Sequence, residues 1–417
     1  MSQTVLDSVA MTYQPVWNRH RMLAAVRLSV YPTEPDSVDA EHLIQALGDD
    51  WPVAAPVLML SLESEDLLHG VLQCDPVPNT WLEVPHALFM EPESLLMLAV
   101  AARRGHRLLR TGNLTDLKGE VLSPLDVRSM LSLSAEDALM ALRSRPGPGS
   151  AVPPRRSPIV PGQIYRNVYN RSLADHCLDE SGAWGLLGWP DEDALHGERL
   201  KPSACDSMVI TLIRQAIAQD ASLEHIERYV RQDPVLAYRL LARVNSAAFG
   251  GRHEIDSLRH AIMMVGLSAL DDWLIEQVPL AESDLAMHPV RYGQVMRARL
   301  AQHLLDSSAD EELRAEVYTT AIFAQLDRLM HEPLSTLIAR LPLCSRVAEA
   351  LLNDDGPYFS LLDIASAQGD TERIGRLPVI CARHGVSLEH ANRGLLRMLS
   401  TSRDHGLEPP PPTPLRG

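Results

Sequence analysis

The chain has 417 residues, 46% of them hydrophobic, enough for two compact domains at roughly 100 to 200 residues each. Asp and Glu number 54 against 38 Lys plus Arg, a formal charge of -16, and such a surface repels a phosphate backbone, which argues against general nucleic-acid binding. There is no run of about 18 apolar residues, and the start "MSQTVLDSVAMTYQPVW" has no basic region followed by an apolar stretch, so neither membrane insertion nor a signal peptide is expected. Cys74, Cys177, Cys205, Cys344 and Cys381 are far apart and form no CxxC pair, which reads as buried thiols in a reducing cytoplasm.

In the first half, "QPVWNRHRMLAAVRLSV" (14–30), "APVLMLSL" (55–62) and "NTWLEVP" (79–85) carry strand patterns, separated by the helical "SVDAEHLIQALG" and "SEDLLHGVLQ". "PESLLMLAVAARRG" (92–105) reads as a further helix and "HRLLRTG" as the strand after it. This alternation predicts a parallel sheet with crossover helices. Residues 143–162, "RSRPGPGSAVPPRRSPIVPG", concentrate Pro and Gly and read as an extended loop. "QIYRNVYNRSLADHCLDESGAWGLLGW" then continues the alternation to about residue 200.

From 203 to 401 the pattern turns almost wholly helical. In "QDPVLAYRLLARV", Asp233 can cap a helix with Pro234 at its first position, where the missing N–H does no harm. Leu236, Leu240, Leu241, Val244 and Ala248 share one side of that helix. Ser257 opens "SLRHAIMMVG" and Gly266 closes it, while Ser268 and Asp271 have the spacing of a capping box for the next helix. The tail 402–417, with "LEPPPPTPLRG", is Pro-rich and reads as disordered.

Several chemistries lack their sequence. No GxGxxG follows a strand, and no phosphate loop, HExxH or GxSxG is found. The sixteen histidines are scattered and none is followed by Asp, so convergent metal ligands are not expected. Asp271 with Asp272 and Glu311 with Glu312 read as charges near helix starts. The arginines 103, 104, 107 and 110 read as ordinary cations at a helix end and strand, with a phosphate site as the minority reading. Lys118 and Lys201 are the only lysines.

Two blocks at 233–273, of the form "DP.L..RLL..VNSAAFG" and "I.SLRHAI...G...L..W", stand in order and at close spacing. Together with "VMRARLAQHLL", "AIFAQLDRLM" and "GPYFSLLDIA" further on, they resemble the HDOD family. The resemblance implies an HD-type phosphohydrolase fold without its metal ligands, in keeping with the absent His-Asp doublet. The motif positions are Asp233, Pro234, Leu240, Leu241, Asn245, Ser246, Phe249, Gly250, Ser257, His260, Ala261, Gly266 and Trp273. Residues 11–200 resemble a shortened, degraded EAL-type barrel, the fold of cyclic di-GMP phosphodiesterases. Glu83 in "WLEVPH" stands where that family has a ligand, but Ser61 takes the place of a metal-binding Asn, and Thr111 and Gly112 the place of paired aspartates. The name-giving Glu-Ala-Leu has become Arg27 to Ser29, and the family's lysine falls near Ser123.

The expected architecture is therefore α/β plus all-α: a degenerate EAL-like, TIM-barrel-derived domain at 11–200 and a helical HDOD domain at 203–401. One remaining glutamate cannot hold and use two metal ions, so the resemblance implies a non-catalytic regulatory protein of bacterial signalling that binds other proteins, with no cofactor or metal. The alternatives are a cyclic di-GMP sensor using Arg110 or other arginines and, at lower weight, an active phosphodiesterase. Asn245 and Ser246 are expected to bond local backbone as their helix ends, with Phe249 anchoring a Gly250-Gly251 turn.

Overall fold

The computed structural model describes residues 4–34, 38–117, 127–144, 156–198, 204–246, 257–281, 284–306 and 308–402. Eight strands close into a barrel in chain order: β1 (Val9–Trp17), β2 (Leu23–Pro32), β3 (Val57–Leu62), β4 (Thr80–Pro85), β5 (Arg107–Asn113), β6 (Arg128–Ser132), β7 (Ile164–Arg166) and β8 (Gly185–Leu187). From β2 to β8 all neighbours are parallel, whereas β1 runs antiparallel to both β2 and β8. The barrel is complete rather than shortened; β7 and β8, of three residues each, are its short members.

The single strand expected over 14–30 is instead the hairpin of β1 and β2. The polar "NRHR" between the apolar runs forms the turn: the Asn18 carboxamide oxygen accepts from the His20 and Met22 N–H groups at 2.8 and 3.1 Å. Arg21 adopts a φ of 57° there, and its buried guanidinium donates to Asp175 at 2.6 Å and to Asp179 at 2.7 Å. That ion cluster ties the hairpin to the segment before β8.

Helices α1 (Ala40–Asp50), α2 (Glu65–Gln73), α3 (His86–Met90), α4 (Pro92–Arg104), α5 (Ala135–Arg143), α6 (Arg171–Asp175) and α7 (Asp191–Glu198) alternate with the strands or follow them. Asp39, Ser64, Ser134 and Asn170 cap α1, α2, α5 and α6 by accepting a backbone N–H of the first turn. Gly105, at φ 108°, takes the left-handed position that ends α4.

The second half is helical: α8 (Ser207–Ala218), α9 (Leu223–Val230), α10 (Pro234–Val244), α11 (Leu258–Val265), α12 (Leu267–Gln277), α13 (Met287–His303), α14 (Glu311–Phe323), α15 (Leu326–Met330), α16 (Leu334–Ile338), α17 (Ser345–Leu352), α18 (Gly356–Gln368), α19 (Leu377–Arg383) and α20 (Leu388–Ser400). α10 is buried on nearly all sides, from Pro234 to Tyr238 and again at Leu240, Leu241 and Val244, not along one stripe as its pattern predicts. The capping box at Ser268 does not form. α12 starts at Leu267 with Gly266, at φ 76°, serving both as the end of α11 and the start of α12. Asp271 pairs instead with Arg214 of α8 at 2.8 Å.

One continuous apolar core runs through both halves. α20 returns to the barrel, where the buried Asn392 amide donates to the Leu6 and Val9 carbonyls, both at 2.8 Å. Trp17 at the end of β1 meets Tyr292 of α13 edge-on at 6.0 Å, and the Trp189 indole donates to the Ala286 carbonyl at 2.9 Å. Most of the Pro/Gly stretch 143–162, the tail beyond residue 402, and Phe249, Gly250 and Gly251 lie outside the described residues. No helix among the described residues is long and apolar enough to cross a membrane.

Candidate functional site

Successive strand side chains point to opposite faces, so alternate residues of each strand fill a barrel's lumen. Val16, Ala25, Met59, Leu109, Met130, Ile164 and Leu187 form the lumenal core, with Val57, Trp81 and Trp184 packed against it. By the same alternation Arg27, Ser29, Ser61, Glu83 and Thr111 face the lumen towards the C-terminal ends of the parallel strands. That end is where (β/α)8 enzymes keep their reacting groups.

What stands there is a closed ion pair. The Arg27 guanidinium donates to both carboxylate oxygens of Glu83, at 2.8 and 3.0 Å, and to the hydroxyls of Ser61 at 2.7 Å and Ser29 at 2.9 Å. A bidentate guanidinium–carboxylate pair is among the strongest charge-assisted arrangements. Burial works against the Arg27 charge, yet Glu83 more than compensates and holds the Arg27 pKa above its ordinary value. Glu63 follows at 3.9 Å.

The residues present do not suit a divalent cation. An ion at Glu83 would meet a guanidinium already engaging both oxygens, and the neighbouring strand ends offer Ser61, Thr111 and Gly112 with a single further carboxylate, Glu63, which also faces Arg27. At Gly112 a β-carbon would lie 2.7 Å from an Asp116 oxygen, and that oxygen instead accepts the Asn113 N–H at 2.6 Å. Among the described residues no group of three or more His, Cys, Asp and Glu is placed to hold a metal.

Arg110 is not part of the mouth, contrary to its expected role in a sensor. It shares the outward side of β5 with Leu108, lies buried with its guanidinium 5.9 Å from the Phe89 ring, and donates to Ser129 at 3.1 Å. Of the other arginines in that stretch, Arg104 at the end of α4 donates to the Gln73 carbonyl at 2.6 Å.

In the helical half, Asp233 is fully buried. One of its oxygens caps α10 by accepting the Val235 and Leu236 N–H groups at 2.9 and 3.2 Å, and the other accepts the Asp206 N–H at 2.6 Å, joining the starts of α8 and α10. Burial pushes the Asp233 carboxyl up, opposed by Arg291. Burial acts on Asp206 in the same sense, but His288 and Arg291 bring it net below its ordinary value. Leu240, Leu241 and Ala261 are core, Trp273 packs under Arg243 at 5.7 Å, and His260 is half-buried. Ser257 precedes α11 without a side-chain cap bond. Asn245 donates from its amide to the Leu241 carbonyl at 2.8 Å and the Ser246 hydroxyl to the Arg243 carbonyl at 2.7 Å, at the end of α10.

Sequence reasoning missed that Arg27 supplies a cation to Glu83; the signal was an arginine two residues before Ser29 on one strand, with Ser61 and Glu83 on the two strands that follow. It also missed Asp206, His288 and Arg291, which meet only through folding.

A barrel with an internal ion pair at its mouth, fused to a bundle organised around Asp233, defines the class. Residues 204–331, from before α8 to the end of α15, match the model of the HDOD domain. The chain is similar to the uncharacterized protein YuxH of Bacillus subtilis, 24% identical over 159 residues, or 37% of this chain and 38% of that protein. It is also similar to the cyclic di-GMP phosphodiesterase CdgJ of Vibrio cholerae serotype O1, 25% identical over 197 residues, or 47% and 45%. The matches thus span less than half the length of either relative. Among solved structures, the MmoQ response regulator of Methylococcus capsulatus aligns over 47% of this chain and 98% of its own, at 18% identity and a TM-score of 0.39.

Proposed function

We propose that this is a regulatory protein of bacterial signal transduction in which a catalytically silent, EAL-like barrel carries an HDOD domain that acts by binding other proteins. The observation that carries the silent-barrel reading is the Arg27–Glu83 pair. Two-metal phosphodiester hydrolysis requires several carboxylates at neighbouring strand ends, whereas here a fixed guanidinium neutralises one glutamate. The signalling role is supported by the HDOD match and by similarity to a protein named as a cyclic di-GMP phosphodiesterase. Protein docking is supported by large apolar side chains left exposed on the HDOD domain: Met263 and Met264 of α11, and Ile275, Val278 and Leu280 in and just after α12. Flexible methionines at such a surface suit an adaptable contact.

Equilibrium dialysis of the purified chain against Mn2+ tests the silent-barrel reading. No stoichiometric ion is expected; one bound ion per chain, lost in Glu83→Ala, would overturn it. The second reading, a cyclic di-GMP receptor without turnover, is favoured by the guanidinium of Arg166, which bonds Ser132 at the end of β6. A saturable calorimetric response to the dinucleotide would select it.

A further inference from the structure

A cavity of about 210 Å3 opens where α9, α11, α13 and α14 meet, away from the barrel mouth. In a chain of formal charge -16 it is lined by four arginines, Arg228, Arg231, Arg259 and Arg299, against three glutamates, Glu224, Glu227 and Glu311, of which Glu311 pairs with Arg259 at 2.8 Å. Buried Glu227 engages two of them, Arg231 at 2.5 Å and Arg259 at 2.8 Å. Arg299 bonds the Thr401 hydroxyl at 2.7 Å. Arg228 has no carboxylate partner among the described residues and contacts the His225 ring at 3.0 Å.

Adjacent residues of this lining carry orphaned buried polar atoms. The Gln232 side-chain oxygen and the Arg231 Nε have no hydrogen-bond partner. An unpaired buried group costs about 1 to 3 kcal/mol, and folded proteins seldom leave one without a reason such as a ligand. The Arg231 N–H lacks an acceptor, and the Gln232 oxygen lacks a donor. Gln232, whose amide can turn either way, can meet an oxyanion with its NH2 or a protonated oxygen with its carbonyl.

We propose that this cavity binds a compact multivalent oxyanion of the phosphate or polycarboxylate type, held by Arg228, Arg231 and Arg299 and oriented by Gln232. The volume is below the roughly 300 to 1,000 Å3 of drug-sized sites, which selects a small ion. The site belongs to the HDOD half and stands whether or not the barrel is catalytic.

Calorimetric titration of the full chain with pyrophosphate and, separately, with citrate, in metal-free buffer at fixed ionic strength, tests it. Saturable binding at one site per chain is expected for at least one of them, weakened tenfold or more in Arg228→Gln and in Gln232→Met. Saturation by pyrophosphate alone identifies a phosphate ligand, and by citrate alone a polycarboxylate. Gln232→Met removes an orphaned carbonyl oxygen, so its ligand-free melting temperature should equal or exceed that of the parent; a purely structural Gln232 would lower it. Arg228 is exposed, so its variant keeps the test valid should Gln232→Met misfold. No saturable heat from either anion, or parental affinity in Arg228→Gln, would overturn the proposal.

Discussion

Glu83→Ala is the most informative change to the barrel. It deletes two bonds of 2.8 and 3.0 Å and leaves the Arg27 side chain, 12% exposed, with serine hydroxyls and the more distant Glu63. Breaking one side of a buried pair costs about 3 to 5 kcal/mol. Glu63, at 3.9 Å and 44% exposed, recovers little of that, so a loss of about 3 kcal/mol is expected. Replacing both partners by apolar residues, as in Arg27→Met with Glu83→Leu, is neutral to stabilising by about 1 to 4 kcal/mol for comparable pairs. Here it also strips a donor from the Ser29 and Ser61 hydroxyls, at about 1 kcal/mol each, so the double variant should lie within about 2 kcal/mol of the parent. Urea unfolding followed by both far-UV circular dichroism and tryptophan fluorescence measures this. With a urea slope of about 3 kcal/mol/M the single variant's midpoint drops by about 1 M. A loss below about 1 kcal/mol for Glu83→Ala, or a double variant as unstable as the single, would refute the closed-pair reasoning.

Asp233→Ala removes a cap worth about 1 kcal/mol and orphans the buried Asp206 N–H at about 1 to 3 kcal/mol, so urea unfolding should show a total loss of about 2 to 4 kcal/mol. Asn245→Leu removes the bond to the Leu241 carbonyl and should cost about 1 kcal/mol, read as a lowered melting temperature with the chain still in solution; an unchanged melting temperature with lost partner binding would contradict the packing role. Asp363 is pushed up by burial but brought net below its ordinary 3.8 by His384 and Arg373. A carboxylate with a lowered folded pKa adds stability that is present above the unfolded value and lost as pH falls through the folded one. Asp363→Asn should therefore melt below the parent at about pH 7, and the gap should close as pH falls below 3.8; a gap constant with pH would count against the pairing.

The strands and helices of the first half were legible where local chemistry is explicit. "APVLMLSL" and "NTWLEVP" become β3 and β4, and the "PESLLMLAVAARRG" helix ends at the left-handed Gly105. The hairpin at residues 14–30 was not, because its turn rests on one Asn18 side chain and on Arg21, whose distant partners Asp175 and Asp179 no local pattern reveals. β8, three residues long, is set by closure of the barrel more than by its own sequence. Asp233 and Pro234 announced the start of α10, but the burial of that helix on all sides reflects its central place in the bundle. Ser268 failed as a cap since Gly266 had already turned the chain. At the mouth, the residues Ser61, Glu83, Thr111 and Gly112 were picked out in the sequence; that Arg27 reaches across β3 to Glu83 on β4 required the register of three strands.

The most direct measurement is a calorimetric titration of cyclic di-GMP into the purified chain supplemented with Mg2+ or Mn2+, with the same sample analysed for hydrolysis product. The account predicts no product, with or without heat of binding. Product that forms with metal and disappears in Glu83→Ala would contradict it.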